Sequence, residues 1–262
     1  MTEVAQWFRG RSRVLFVHAH PDDETITTGG TLAALAEAGL EPLLITLTRG
    51  ERGEVVPGPL QGLVQAHGLA VVRQNELKTA LGMLGLERHV FLGVEPARAE
   101  DHPPAIYEDS GMAWADSVPG EAPRAVPADD VGPDALTSVP AVEVLNDLLA
   151  GVYLSGAQGI VSYDDGGGYG HPDHVLAHQL SRAVATALGL PFWEIVSAPE
   201  DAEAQSEDEV ETHDITPWLD RKRAALRAYA TQLTVDGDEI VHVGGQRQAI
   251  ETIEQFRLRT LE

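Results

Sequence analysis

A chain of 262 residues with 43% hydrophobic side chains carries enough apolar material for one sizeable α/β core, and a single domain over 1–262 is expected. It has no cysteine, which excludes disulfides and thiolate ligands and leaves any metal chemistry to His, Asp or Glu. With 18 Lys and Arg against 41 Asp and Glu, the formal charge of -23 argues against nucleic-acid and membrane partners and for a neutral or cationic small molecule, although a saline habitat would produce the same charge.

Residues 1–13 lack the apolar stretch of a secretory signal, and no run approaches the roughly 18 apolar residues that cross a bilayer, so a cytoplasmic location is expected. Val14, Leu15, Phe16 and Val17 predict a strand over 13–17. Gly29-Gly30 reads as a turn at the head of a helix over 28–39, which has Leu32, Leu35 and Ala36 at helical spacing and stops at Gly39. A second strand over 42–47 completes a βαβ unit and implies a parallel sheet. A helix over 74–84 places Leu77, Leu81 and Leu84 on one face, and 89–92 is a third strand. Next come a helix over 142–154, a strand over 159–163 and a helix over 172–188 that opens with Pro172, whose missing N–H is harmless in a first turn. A fifth strand over 192–197 and late helices over 217–232 and 248–258 complete an α/β chain with a mostly parallel sheet flanked by helices.

Two segments break the alternation. Residues 95–140 hold 8 of the 16 prolines and 10 acidic residues against 2 Arg, which predicts a long irregular excursion over the active-site face, a candidate lid. Residues 194–214 carry 9 acidic residues and no Lys or Arg, and read as an acidic surface loop without a role.

The chemistry concentrates at two strand ends. The run Val17-His18-Ala19-His20-Pro21-Asp22-Asp23-Glu24 follows the first strand, and Gly170-His171-Pro172-Asp173-His174 follows the strand at 159–163 across a loop rich in Asp and Gly. Ligands of open α/β sheets bind outside the carboxyl ends of the strands, so two turns about 150 positions apart can meet there. His20 and Asp23 share one tight turn and His174 arrives from the other. Two imidazoles and a carboxylate with an open position form the pattern of a catalytic Zn²⁺, and Fe²⁺ fits the same ligands. Such an ion lowers the pKa of water from 15.7 to about 7, and Asp22, beside a ligand but directed elsewhere, is the candidate general base. His171, one turn before His174, would face the substrate. As an imidazolium it would donate to an oxyanion or protonate a leaving amine, with Asp173 orienting it and raising its pKa. Tyr169 would add a phenolic donor, against the alternative of a turn aromatic packed on its loop. Taken singly, HPDD could be a capped turn and HPDH a Pro-initiated helix, but both at strand-to-helix turns of one chain favour a site. His18 alternates away from His20 and reads as a core or supporting histidine. His67, His89, His102, His178, His213 and His242 read as structural or surface residues.

With AHPDDE at 19–24 and HPDH at 171–174, the chain resembles the PIG-L/LmbE-like family of zinc-dependent N-acetyl sugar deacetylases. The resemblance implies a Rossmann-like fold, metal ligands at His20, Asp23 and His174, a base at Asp22 and an electrostatic or acid role for His171. Thr48 through Glu54 (TRGERGE), the helix from Arg73 with Glu76-Leu77, Asp109-Ser110-Gly111-Met112, Gly167-Gly168-Tyr169-Gly170 and residues 222–232 look like the mycothiol branch of that family. That branch removes acetate from an N-acetylglucosaminyl-inositol, and a close relative cleaves mycothiol S-conjugates. By resemblance, Arg73 and Asp109 would bind sugar or inositol hydroxyls, and Tyr169 would be the mobile active-site tyrosine. A helix-surface pair with Glu76 is the plain alternative for Arg73, and a turn cap for Asp109. The short acidic segment 194–214 and Ile106-Tyr107-Glu108 before the DSGM run depart from that branch, so another N-acetylhexosamine remains an alternative substrate.

Two rival classes stand beside this reading. The same ligand trio forms the facial triad of non-haem Fe(II) oxygenases, against which the α/β alternation argues. A non-enzymatic sugar- or metal-binding module would need neither Asp22 nor His171.

Overall fold

β1 (Val14–His18) runs through the middle of the molecule with all five residues buried, because helices cover both of its faces. The computed structural model describes residues 3–114, 125–197 and 209–260. After β1 come α1 (Asp23–Glu37), β2 (Leu43–Thr46), α2 (Leu60–His67), α3 (Leu69–Leu84) and β3 (Arg88–Phe91). Beyond the excursion lie α4 (Ala141–Ser155), β4 (Gly159–Ser162), α5 (Pro172–Leu188) and β5 (Phe192–Ile195). The chain closes with β6 (Glu209–Asp214), α6 (Leu219–Leu226), β7 (Leu233–Asp236), β8 (Glu239–His242), β9 (Arg247–Ala249) and β10 (Ile253–Arg259).

The main sheet has seven strands in the order β3-β2-β1-β4-β5-β10-β6. The first five are parallel, and β10 runs antiparallel to β5 and β6. The chain winds outward from β1 to β3 and then returns to the other side of β1 through β4. Strand order therefore reverses between β1 and β4, and the crevice outside their carboxyl ends is where such sheets bind ligands. One face is packed by α1, α3 and α6 through Leu32, Leu35, Leu77, Leu84 and Leu226 around Phe16 and Leu44. The other is packed by α4 and α5 through Leu148, Val152, Ala177 and Val184 around Leu15, Ile45 and Ile160. Among the described residues, no helix is long and apolar enough to cross a membrane.

Four expectations need correction. The first helix begins at Asp23 and contains Gly29 and Gly30 in its interior. Gly30 serves close packing: a Cβ there would lie 2.4 Å from the Cβ of Ile215. Residues 248–258 are not a helix but the strands β9 and β10. In β10 the buried residues are Glu254, Phe256 and Arg257, and the two buried charges disguise the alternation. Residues 217–232 hold only the short α6, preceded by a 3₁₀ turn at Thr216–Trp218. The acidic segment is also shorter than expected, since β5 reaches Ile195 and Glu209–Asp214 pairs with β10 as the edge strand. Its exposed charges suit an edge that must not pair with another chain. Residues 198–208 of that segment, and 115–124 of the excursion, lie outside the described residues.

Glu254 ties the last strand to the motif helix. Its carboxylate accepts from Lys222 Nζ at 2.8 Å and from the backbone N–H groups of Gly30 and Thr31 at 3.0 and 2.8 Å. Both charged residues are buried. Removing one partner of such a pair strands the other, so Glu254→Ala should lose about 3–5 kcal/mol of stability. A fall in the urea midpoint at unchanged slope would be the readout, and a wild-type midpoint would contradict this account.

The excursion is pinned to α4 at its root. Asp147, buried on that helix, accepts from Arg98 Nη1 at 2.7 Å, Tyr107 hydroxyl at 2.6 Å and Ala99 N–H at 2.8 Å. From this anchor the chain passes Asp109 and Ser110 back into the crevice between β1 and β4.

Candidate active site

Three donor atoms face one another where the two turns meet. His20 Nδ1, Asp23 Oδ2 and His174 Nε2 form a triangle with every side 3.2 Å. A tetrahedral ion with ligand bonds of roughly 2.0–2.1 Å sets its donors about 3.3 Å apart, so the triangle matches one face of that polyhedron.

The outer ring atoms fix which nitrogen is free. His174 Nδ1 faces the carbonyl of Gly167 at 3.2 Å, which can only accept, so its proton is assigned to Nδ1 and the Nε2 lone pair points into the triangle. Gly167 lies at φ +64°, and a Cβ there would stand 2.8 Å from Val175 N. His20 Nε2 faces Asp173 Oδ2 at 3.1 Å and Asp109 Oδ1 at 3.6 Å, which leaves Nδ1 for the triangle. The local field also calls for a cation. Burial disfavours a charged His20, yet Asp109, Asp173 and Asp23 together raise its pKa well above 6.5. Burial likewise opposes a charged Asp23, but His174 and His20 hold its pKa well below the usual range.

Asp22 sits at the edge of this cluster in an unusual backbone conformation, φ 110° and ψ −34°. Such a conformation in a residue other than glycine costs of order 1–3 kcal/mol and persists only when its surroundings enforce it. They do: its carbonyl accepts the first bonds of α1 from Thr25 and Ile26 at 3.0 and 2.9 Å, and its N–H donates to Glu24 Oε2 at 3.2 Å. Glu24 is fully buried and held by the hydroxyls of Tyr229, at 2.5 Å, and Thr25. Its pKa is pushed up to about 7, chiefly by burial. The Asp22 carboxyl is also raised well above its ordinary value, by burial and then by Asp23, against the pull of Arg73.

His171 is the N-cap of α5. Its Nδ1 accepts from the N–H of Asp173 at 3.2 Å, so the neutral ring carries its proton on Nε2. Burial, followed by the charges of His20 and His174, drives its pKa down to about 3. Burial at this position thus favours a neutral N–H donor over the expected imidazolium. Asp173 does not orient His171 through its carboxylate, which is fully buried and turned back across the crevice to His20 and to the N–H of Ser110 at 2.9 Å.

The other expected residues fall at graded distances from the centre. Asp109 accepts from Gly111 N–H at 2.7 Å and Arg52 N–H at 3.3 Å, as a turn cap does, while also facing His20. Burial would raise its pKa, but His20 holds it below the carboxylate range. Arg73 donates to the carbonyls of Gly50 at 2.6 Å and Glu54 at 3.1 Å, fastening the 50–54 loop. Glu76 takes no hydrogen bond from Arg73 and accepts from Thr231 N–H and hydroxyl, both at 2.7 Å. Tyr169 is 60% exposed at the mouth, its ring edge-on to His174 at 5.1 Å and to His171 at 6.1 Å. His18 is a buried core residue bonded to Thr28 at 3.1 Å, with a pKa lowered to about 4 by burial. Sequence reasoning missed Tyr163, Glu24, Tyr229 and Ser110. Only Tyr163 had a usable signal, an aromatic at the very end of a strand that feeds the Asp-Gly loop.

The family profile described as PIG-L, GlcNAc-PI de-N-acetylase, matches residues 15–185, from β1 to the last turns of α5, and so takes in both turns of the site. The chain belongs to the PIG-L family. A 1D-myo-inositol 2-acetamido-2-deoxy-alpha-D-glucopyranoside deacetylase of Kineococcus radiotolerans is 38% identical over 94% of this chain and 77% of its own length. Its counterpart from Saccharomonospora viridis is 35% identical over 94% of both chains. The N,N'-diacetylchitobiose deacetylase of Pyrococcus horikoshii superposes with a TM-score of 0.55 at 20% identity, covering 87% of this chain and 73% of that one, which speaks for the fold alone. As a PIG-L protein the chain is a deacetylase, a hydrolase of an amide bond.

Proposed function

We propose that the protein removes the acetyl group from 1D-myo-inositol 2-acetamido-2-deoxy-α-D-glucopyranoside, the deacetylation of mycothiol biosynthesis, using Zn²⁺ held by His20, Asp23 and His174. The observation that carries this reading is the triangle of three donors at 3.2 Å with Asp22 beside it. The relatives' substrate supports the sugar, and an uncharged sugar suits a chain of formal charge -23. When bound, the ion supplies positive charge that polarises the amide carbonyl and makes water more acidic. Zinc is preferred to Fe²⁺ as the common ion for an imidazole-carboxylate set in hydrolases.

Asp22 takes the proton of the attacking water, and the oxygen adds to the acetyl carbon. His171, neutral, donates its Nε2–H to the oxyanion that develops. As the C–N bond breaks, the proton held by Asp22 passes to nitrogen, leaving a primary amine and acetic acid, which gives up its remaining proton to become acetate. Asp173 and Asp109 keep His20 turned toward the metal, Arg73 holds the 50–54 loop, and Tyr169 stands at the mouth where it can close on the acetyl oxygen. The excursion that delivers Asp109 and Ser110 serves as the wall, or lid, over the sugar.

Two measurements test the reading. Zinc-loaded protein is assayed for amine release from the glucosaminyl-inositol substrate, a mycothiol S-conjugate and free N-acetylglucosamine. Preference for the first is expected, and no amine from any of the three would sink the proposal. His171→Ala should lower kcat by ~10²–10³-fold with KM little changed, the effect of losing one oxyanion donor. A change in KM alone would assign His171 to binding instead.

A further inference from the structure

We infer that Tyr163 is a positioning residue for the metal, clamping together two ligands that come from different strand ends. The inference rests on the metal site proposed above. Tyr163 directly follows β4 and is 3% exposed. Its ring lies flat on the imidazole of His174, with centroids 4.1 Å apart and planes 10° from parallel. Its hydroxyl donates to Asp23 Oδ2 at 2.7 Å and accepts from Ala19 N–H at 2.8 Å.

These contacts address separate freedoms. The Gly167 carbonyl fixes His174 within its ring plane, whereas the stack restrains tilt out of that plane. Asp23 Oδ2 is the very atom at the corner of the triangle, and it also accepts from His20 N–H at 2.9 Å. A phenol has one proton to donate. Because Ala19 N–H occupies its acceptor side, that proton is directed at Asp23, which limits the directions left for a cation. A phenol that only filled space could have donated to a backbone carbonyl; this one bonds a ligand carboxylate. Partners of this outer kind set ligand orientation and are typically worth 10–100-fold in metal affinity.

Tyr163→Phe keeps the stack and loses the hydroxyl, and Tyr163→Leu loses both. Metal-free proteins are titrated with Zn²⁺ against a chromophoric chelator. The zinc Kd is expected to rise ~10–100-fold in Tyr163→Phe and further in Tyr163→Leu. KM for the acetylated sugar, measured at saturating zinc, should stay at the wild-type value, since Tyr163 lies beneath His174. A wild-type zinc Kd in Tyr163→Phe, or a raised KM at unchanged Kd, overturns the inference. If Tyr163→Phe is too unstable without metal, it is purified zinc-loaded and the rate of zinc removal by a chelator is read; loss no faster than wild type overturns it equally. Failure of the underlying site looks different: wild-type protein that takes up no zinc, or His174→Ala that binds zinc as tightly as wild type, removes the metal site and this inference with it.

Discussion

Asp22→Asn is expected to lower kcat by ~10²–10⁴-fold, the usual worth of a positioned general base, while the protein still takes up one zinc ion. Asparagine preserves the shape of the side chain and tolerates positive φ better than most residues, so the loss isolates the carboxylate. A second substitution separates catalysis from stability. Asp22→Gly should be equally inactive, yet more stable than wild type, because glycine relieves a backbone held at φ 110° and the change also removes a carboxylate beside Asp23. A gain of about 1–3 kcal/mol is the scale set by such strain. The expected pair of results, lost turnover with raised denaturant midpoint, is the signature of a residue whose geometry is maintained for its chemistry. Full turnover by zinc-loaded Asp22→Asn would remove Asp22 as the base. Loss of zinc in that variant would make Asp22 a ligand instead.

The strain at Asp22 could not be read from the sequence, although the residue itself could. The parallel strands were legible because each is a short run of β-forming residues, and the parallel pairing of β1 and β2 followed from the βαβ logic. The two histidine turns were legible because imidazoles and carboxylates are dense there. What escaped was whatever depended on partners distant in sequence. Gly29-Gly30 resembles a turn until Ile215 is packed against it. β10 resembles a helix because its inward Glu254 is polar, and that residue is tolerable only with Lys222 and two helix N–H groups around it. Asp173 was expected to serve its neighbour His171, yet the first turn of α5 aims its carboxylate at His20, 153 positions away. Local spacing shows which groups are available, whereas the sheet decides which of them meet.

Removal of the metal should abolish turnover and also destabilise the fold. His20, Asp23 and His174 reach the centre from two turns whose strands pair directly, so an ion held by all three joins β1 to the head of α5. A ligand that binds only the native state adds about 2.7 kcal/mol at a hundred times its Kd. For a chain of this size that corresponds to a Tm shift of about 5–10 °C, read as the difference between chelator-treated and zinc-supplemented protein. Turnover should return on adding Zn²⁺ back. His174→Ala should bring the apparent loss without chelator, with no zinc-dependent rise in Tm and residual activity at the background of the assay. Together with His171→Ala, the same variant distinguishes the triangle from two other donor groups among the described residues, His20-His171-His174, whose ion would be lost with either of the last two histidines, and a second group of His20, Asp109, His171 and Asp173. An ion held by that second group would stay bound without His174 and would be lost in His171→Ala. An ion in the triangle would show the reverse, since His174 Nε2 is a corner of the triangle and His171 contributes no atom to it.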